Sequence, residues 1–279
     1  MKREVGVNFT FDDMKLYTYP DFSIKILAKE AKVETLADIK NLELKIWLPK
    51  LLIKKLAVRG FSGYNSDFEI TKYKDGSTNI ERILKRLSFD IDLNRSDIKL
   101  SKFWLFAVDE NVGQKINIDG NYFLAKSRHN DLDAKIDIRI KEEVLNRNES
   151  DAKINIDINM PLPDLKRGFK GKNKYLIITG SVKNLRPQIF KEYLKSYLDP
   201  DIIDIQGVIN ADFNPVYENK KNKKIKSIYT DIILNNIKII SKKAENSIII
   251  NGSNRIKSKF NIDNKDLEIE KFEFIGDGY

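Results

Sequence analysis

The chain has 279 residues, 41% hydrophobic and 33% charged, with 50 Lys and Arg against 41 Asp and Glu and a net charge of +9. These proportions predict a high ratio of surface to core, as an elongated or single-layer sheet has, and the diffuse positive excess points away from nucleic acid. There is no cysteine, which excludes disulfides, thiolate metal sites and a cysteine nucleophile.

The pattern is extended from the start. Val5-Gly6-Val7-Asn8-Phe9-Thr10-Phe11 alternates, with no apolar core of a signal peptide before it. Strands are predicted to about Val58, with Tyr19-Pro20-Asp21 as a turn ahead of Phe22, Ile24 and Ile26, and with Leu42, Leu44 and Ile46 on one face. The most apolar window, 46–53, carries Pro49 and Lys50 and is far shorter than the ~20 residues a membrane-spanning helix needs. After Asp67-Phe68-Glu69-Ile70-Thr71-Lys72-Tyr73, the run Lys74-Asp75-Gly76 supplies a tight turn. Asn79 then reads as the N-cap of a short amphipathic helix over 79–87, with Ile80, Ile83, Leu84 and Leu87 on one face, closing one end of the sheet.

From 87 to 160 the sequence predicts strand after strand, with turns at Asp109-Glu110-Asn111, Asp119-Gly120 and Asn146-Arg147-Asn148-Glu149. In Lys135-Ile136-Asp137-Ile138-Arg139-Ile140 the isoleucines fall on one face and the charges on the other, and Ile154, Ile156 and Ile158 repeat the pattern. The linker-like stretch 161–174 divides an N-terminal region, 1–160, from a second β-rich region, 175–279, that continues the same sheet. The second region holds another amphipathic helix over 187–198, entered at Pro187 and ended by Asp199-Pro200. The lysine-rich run 220–226 reads as a solvated hairpin loop. A loose echo relates Asp97-Ile98-Lys99-Leu100-Ser101-Lys102-Phe103 to Asp231-Ile232-Ile233-Leu234-Asn235-Asn236-Ile237, each followed by a strand closing in Asp-Gly or Asn-Gly. Both chain ends look like cuts through a larger sheet, so a fragment is expected.

The expected fold is therefore mainly β: an elongated, curved antiparallel sheet forming a groove, with two short amphipathic helices. Catalytic motifs are missing from the sequence: no phosphate-cradling glycine loop, no nucleophile elbow, no zinc helix, no calcium loop. His129, the sole histidine, lies in a polar segment and reads as a solvated loop residue, and the acidic pairs Asp12-Asp13 and Asp90 with Asp92 read as surface carboxylates. No catalytic residue, metal or cofactor is expected. What remains is the apolar face, and wetting it costs ~25 cal/mol per Å², so an apolar occupant such as an acyl chain is expected unless a second layer covers it. Parity makes Ile136, Ile138, Ile140, Ile154, Ile156 and Ile158 the groove-facing candidates, with strand register deciding which face is inside.

The N-terminal third resembles AsmA-like proteins, relatives of TamB and of the wider group of bridge-like lipid-transfer proteins. The resemblance rests on Val7-Asn8-Phe9 with 17–24, on Leu42-Glu43-Leu44-Lys45-Ile46-Trp47-Leu48-Pro49, and on Phe68 through Ile80 with its Asp75-Gly76 turn and Asn79-Ile80 helix start, in that order. It implies a non-enzymatic, periplasmic protein of a diderm envelope, anchored in the inner membrane through a segment absent from this chain. The implied task is to conduct phospholipids toward the outer membrane. Phospholipid acyl chains are the implied partners, with envelope proteins at either end and no nucleic acid. Two alternatives stay open at this point: a structural or interaction module with a dry core, and an enzyme whose polar groups would converge in a pocket.

Overall fold

A computed structural model describes residues 7–128, 131–141, 151–161, 177–194, 201–219, 224–241, 248–261 and 266–275. The fold is mainly β, an open, mixed 15-stranded sheet whose hydrogen-bonded order follows the chain except at its first strands and around one crossover. The chain separates into two units: 1–139 with 157–177, and 140–156 with 178–279. The predicted linker, His129 and the turn at 146–149 lie outside the described residues, apart from Pro161.

In the first unit, β1 (Phe9–Thr10) and β2 (Asp13–Thr18) both pair with β3 (Ser23–Val33), which pairs with β4 (Ala37–Trp47) and through it with β5 (Lys55–Lys72). The next connection departs from the antiparallel expectation. β6 (Asp90–Asp92) and β7 (Asp97–Asp109) both run parallel to β5, before β8 (Gln114–Arg128) turns back on β7. A parallel pair needs a crossover, and helix α1 (Asn79–Arg86) lies within it.

The start of α1 is fixed by a capping box on Thr78, not by Asn79: the Thr78 hydroxyl accepts from the Glu81 amide at 3.1 Å while Glu81 Oε2 accepts from the Thr78 amide at 3.1 Å. Asn79 does a different job. Its Nδ2 donates to the Glu69 carbonyl at 2.7 Å and its Oδ1 accepts from the Thr71 amide at 3.2 Å, tying the helix start to β5. Ile83 is the apolar side chain that α1 buries.

One line across this unit breaks the period of two. Ala28 and Ala31 on β3, and Ile39 and Leu42 on β4, are three residues apart yet pack in one cluster with Ala37, against Phe9, Phe11, Phe61 and Phe68. The registers carry the same spacing onward, from Ile39 and Leu42 to Ser66 and Gly63, to Phe103 and Leu100, and to Gly120 and Phe123. On three of these strands a left-handed residue lies inside the gap: Glu30 on β3, Asn65 on β5 and Lys102 on β7 have φ of 48, 51 and 51. A left-handed residue inserts a half-step into the pleat, so the apolar face resumes beyond it on the same side. Each of the larger side chains buried there contributes ~1.5–3 kcal/mol.

The second unit takes in the end of β9 (Asp131–Lys141) and the start of β10 (Ala152–Pro161), then β11 (Ile177–Leu185), β12 (Ile202–Asn219), β13 (Lys224–Ser241), β14 (Ile248–Asn261) and β15 (Asp266–Ile275). From β11 onward all its ladders are antiparallel. The predicted helix over 187–198 is a 3-10 turn, Pro187–Phe190, running into the four-residue α2 (Lys191–Leu194), with 195–198 outside the described residues. Residues 220–223 also fall outside them, between the paired Asn219 and Lys224. Gly180 sits at φ +124, where a Cβ would lie 2.2 Å from the Asn155 carbonyl oxygen, so the β11 backbone can approach β10 only without a side chain.

The internal echo has a structural counterpart. Lys102 and Asn236 occupy the same place in the two segments and share the left-handed conformation, φ 51 and 49. Each precedes a buried apolar residue, Phe103 at 6% and Ile237 at 8% exposure.

Candidate functional site

In each unit the sheet has one apolar and one charged face, and among the described residues every strand belongs to this one sheet, so no second sheet covers either face. Across the first unit, Ile26 pairs with Leu44, Leu44 with Phe61, Phe61 with Ile98 and Ile98 with Ala125; further along, Phe68, Leu105 and Ile118 are neighbours in turn. Phe61, Phe68, Leu105 and Ile118 are half-buried, while Ala28, Ala31, Ile39, Leu42 and Phe103 are sealed. At the margin, Met14 and Leu16 on β2 extend the same face at 44% and 53% exposure.

Across the second unit, Ala211, Ile232, Ile256 and Phe272 form one row of partners, and Ile228, Phe260 and Leu267 another. Ala211 and Ile228 are buried, whereas Leu267, Ile269 and Phe272 at the β15 edge are 64%, 64% and 53% exposed.

The opposite faces carry cross-strand ion pairs. Lys25 and Glu43 meet at 2.9 Å, Lys135 and Asp157 at 3.1 Å, Lys183 and Asp212 at 2.8 Å, and Arg255 grips Asp231. Hydrogen bonding from Arg255 holds the Asp231 carboxyl below the usual range, and the bond to Glu43 raises Lys25. Such exposed pairs are screened by solvent and add little to stability, so they chiefly fix register and keep one face wet. A shallow cleft of ≈ 450 Å³ in the first unit is lined by Lys15, Lys29, Glu43 and Lys99 together with Leu27 and Tyr64, among others.

The six predicted isoleucines lie on β9 and β10. In the first unit Ile136 and Ile138 on β9 and Ile158 on β10 are half-buried. Lys135 with Asp157, and Asn159 with Asp133, join the polar side chains of β9 and β10, which puts Ile136 and Ile158 together on the other face. In the second unit Ile140 is 3% exposed, and Ile154 and Ile156 are half-buried between exposed Lys153, Asn155 and Asp157 neighbours. Sequence reasoning left out Phe61, Leu105, Ile118 and Phe123, which hold equivalent places; their alternation was legible in Phe103-Trp104-Leu105-Phe106 only to a reader who knew that Trp104 and Phe106, 46% and 36% exposed, sit on the wet side.

Among the described residues no three His, Cys, Asp or Glu side chains gather as a metal site, and no helix is long and apolar enough to cross a membrane. Burial alone would raise Asp92, but the Lys50 ammonium and the Asn94 amide outweigh it and hold this carboxylate low, as an ion-pair partner. The sequence matches no protein-family model and no curated protein.

Proposed function

We propose that the chain is a non-enzymatic envelope protein whose apolar sheet faces bind phospholipid acyl chains and conduct them between the inner and outer membranes of a diderm bacterium. One observation carries the reading: rows of half-buried Ile, Leu and Phe run from strand to strand with no second sheet over them among the described residues. Uncovered apolar area of this kind favours an apolar occupant at ~25 cal/mol per Å². An acyl chain laid across such rows meets the same environment at each strand, so it can shift without a large barrier while its headgroup stays in water. No bond is broken, and neither a catalytic residue nor a cofactor is required. The AsmA-like order of motifs in the first third supports the same reading, and with it a periplasmic location, inner-membrane anchorage through a segment outside this chain, and protein partners in the envelope.

A structural module is the second reading, favoured by the way Phe9 and Phe11 pack onto the Ala28, Ala31, Ile39 and Leu42 cluster. Native mass spectrometry with lipid extraction, on protein purified from a diderm host, separates the two. Conduction predicts bound phospholipid that is lost in the Ile138→Asp, Ile156→Asp double variant. Lipid-free wild-type protein that unfolds cooperatively and ignores added phospholipid selects the structural module.

A further inference from the structure

At one end of the first unit the β4–β5 hairpin is closed by a 3-10 segment, Leu48–Ile53, that buries none of its residues. Leu52 is 90% exposed, Ile53 63% and Leu51 41%, and Phe22 on the adjoining β2–β3 turn is 71% exposed. The two turns are joined: the Leu48 amide donates to the Phe22 carbonyl at 3.0 Å, and Trp47 Nε1 donates to the Asp21 carbonyl at 3.1 Å. Four large apolar side chains thus share one projecting tip.

Behind the tip the surface is cationic. Lys50, Lys54 and Lys55 flank the apolar residues in the chain. A cavity of ≈ 570 Å³ is lined by Asp21, Ser23, Lys45, Trp47, Lys50, Arg59, Asn94 and Arg95. Its nearby acids are partly engaged: Asp21 accepts from the Ser23 amide at 3.1 Å, and Asp92 pairs with Lys50. Arg59 lies 5.3 Å from the Trp47 ring centre and donates to the Asn94 carbonyl, while the Asn94 Oδ1 atom is buried without a partner. Lys45, Lys50, Arg59 and Arg95 line the cavity against the single carboxylate of Asp21, which Lys45 meets at 3.9 Å, and Lys54 and Lys55 add charge next to the tip in the chain.

Apolar prongs ahead of a cationic collar match the layering of an anionic lipid surface, in which the acyl region lies beneath a plane of phosphates. Lysine stems let the ammonium groups stay at phosphate level while the tip enters. An apolar groove on another protein would leave these cations unmatched. We propose that this end of the first unit docks on an anionic membrane surface, with Phe22, Leu51, Leu52 and Ile53 inserted and a lipid phosphate held in the cavity beside Arg59 and Arg95.

The test is vesicle flotation of the whole chain, using phosphatidylcholine vesicles with and without phosphatidylglycerol. Wild type is expected to float with the anionic vesicles and to be released by added salt. The Leu52→Glu, Ile53→Glu variant, altered only at exposed positions, is expected to lose binding roughly tenfold or more. The Arg59→Gln, Arg95→Gln variant is expected to lose the preference for phosphatidylglycerol, and Arg95→Gln alone, at an exposed residue, serves if the pair melts early. Wild type that ignores both vesicle types, or glutamates at 52 and 53 that leave binding intact, overturns the proposal. So does binding of inorganic phosphate in the cavity without flotation, which would make it a free-anion site. The proposal stands apart from the conduit reading: Ile138→Asp is expected to float like wild type whatever it does to co-purified lipid.

Discussion

The ring of Phe103 on β7 occupies the space where a side chain at Gly120 on β8 would begin: a Cβ built on Gly120 would lie 2.2 Å from Phe103 Cζ. The two residues are direct partners in the ladder. Phe103 is also packed edge-on to Phe68 at 6.4 Å, so it has little room to retreat. Gly120→Ala is expected to cost ~1–3 kcal/mol by overpacking, and Phe103→Ala ~3–5 kcal/mol by cavity formation. Urea unfolding checks both. Pairing Gly120→Ala with Phe103→Leu should recover part of the loss, a coupling that independent sites would not show.

Lys102 is exposed yet conformationally constrained at φ 51. A β-branched residue tolerates that region poorly, so Lys102→Val is expected to destabilise by ~1–2 kcal/mol although it touches no core. Lys102→Asn, which accepts the left-handed region and removes the 5.4 Å contact of the ammonium with the Tyr64 ring, should stay near wild type. Equal melting temperatures for the Val and Asn variants would argue against a backbone origin.

Asp75 anchors the turn before α1. Its Oδ1 accepts from the Ser77 hydroxyl at 2.6 Å and the Ser77 amide at 2.9 Å, and Arg82 pairs with Oδ2 at 2.8 Å. These contacts, led by the Ser77 hydroxyl, lower its pKa to about 2. Because the folded value lies below that of the unfolded chain, the contribution to stability is present above the ordinary carboxylate range and disappears as the pH falls toward about 2. A carboxyl NMR titration should show Asp75 as a low outlier, with Ser77→Ala moving it up; an ordinary value near ~3.9 in the wild type would count against the turn geometry.

Thr78→Ala removes half of the capping box and is expected to cost ~1 kcal/mol. Thr78→Ser should retain most of it, and amide hydrogen exchange in α1 would report the difference directly.

The sequence made the β character and the alternating faces legible because the period-two signal in runs such as 135–140 and 154–158 is strong. Three features were hidden, for physical reasons. The crossover that makes β5 and β7 parallel leaves the same alternating pattern as a hairpin, so direction could not be read. Asp119-Gly120 mimics a turn, but the glycine is there to admit the Phe103 ring. The left-handed positions fall on Glu30, Asn65 and Lys102 rather than on glycine, so nothing in the residue types warned that Leu100 and Phe103 share a face across a spacing of three. Of the candidate site, the isoleucines of β9 and β10 were legible, whereas the apolar tip at 51–53 read only as a short apolar window until its exposure was known.

The most direct test of an acyl-chain surface uses a photo-crosslinking amino acid placed at adjacent positions that face opposite ways: Leu105 and Ile118 on the apolar face, Phe106 and Asn117 on the other. Irradiation in a diderm host, followed by mass spectrometry of the purified chain, is expected to give phospholipid adducts at 105 and 118 and none at 106 and 117. Adducts at neither pair, or equally at both, would contradict the account.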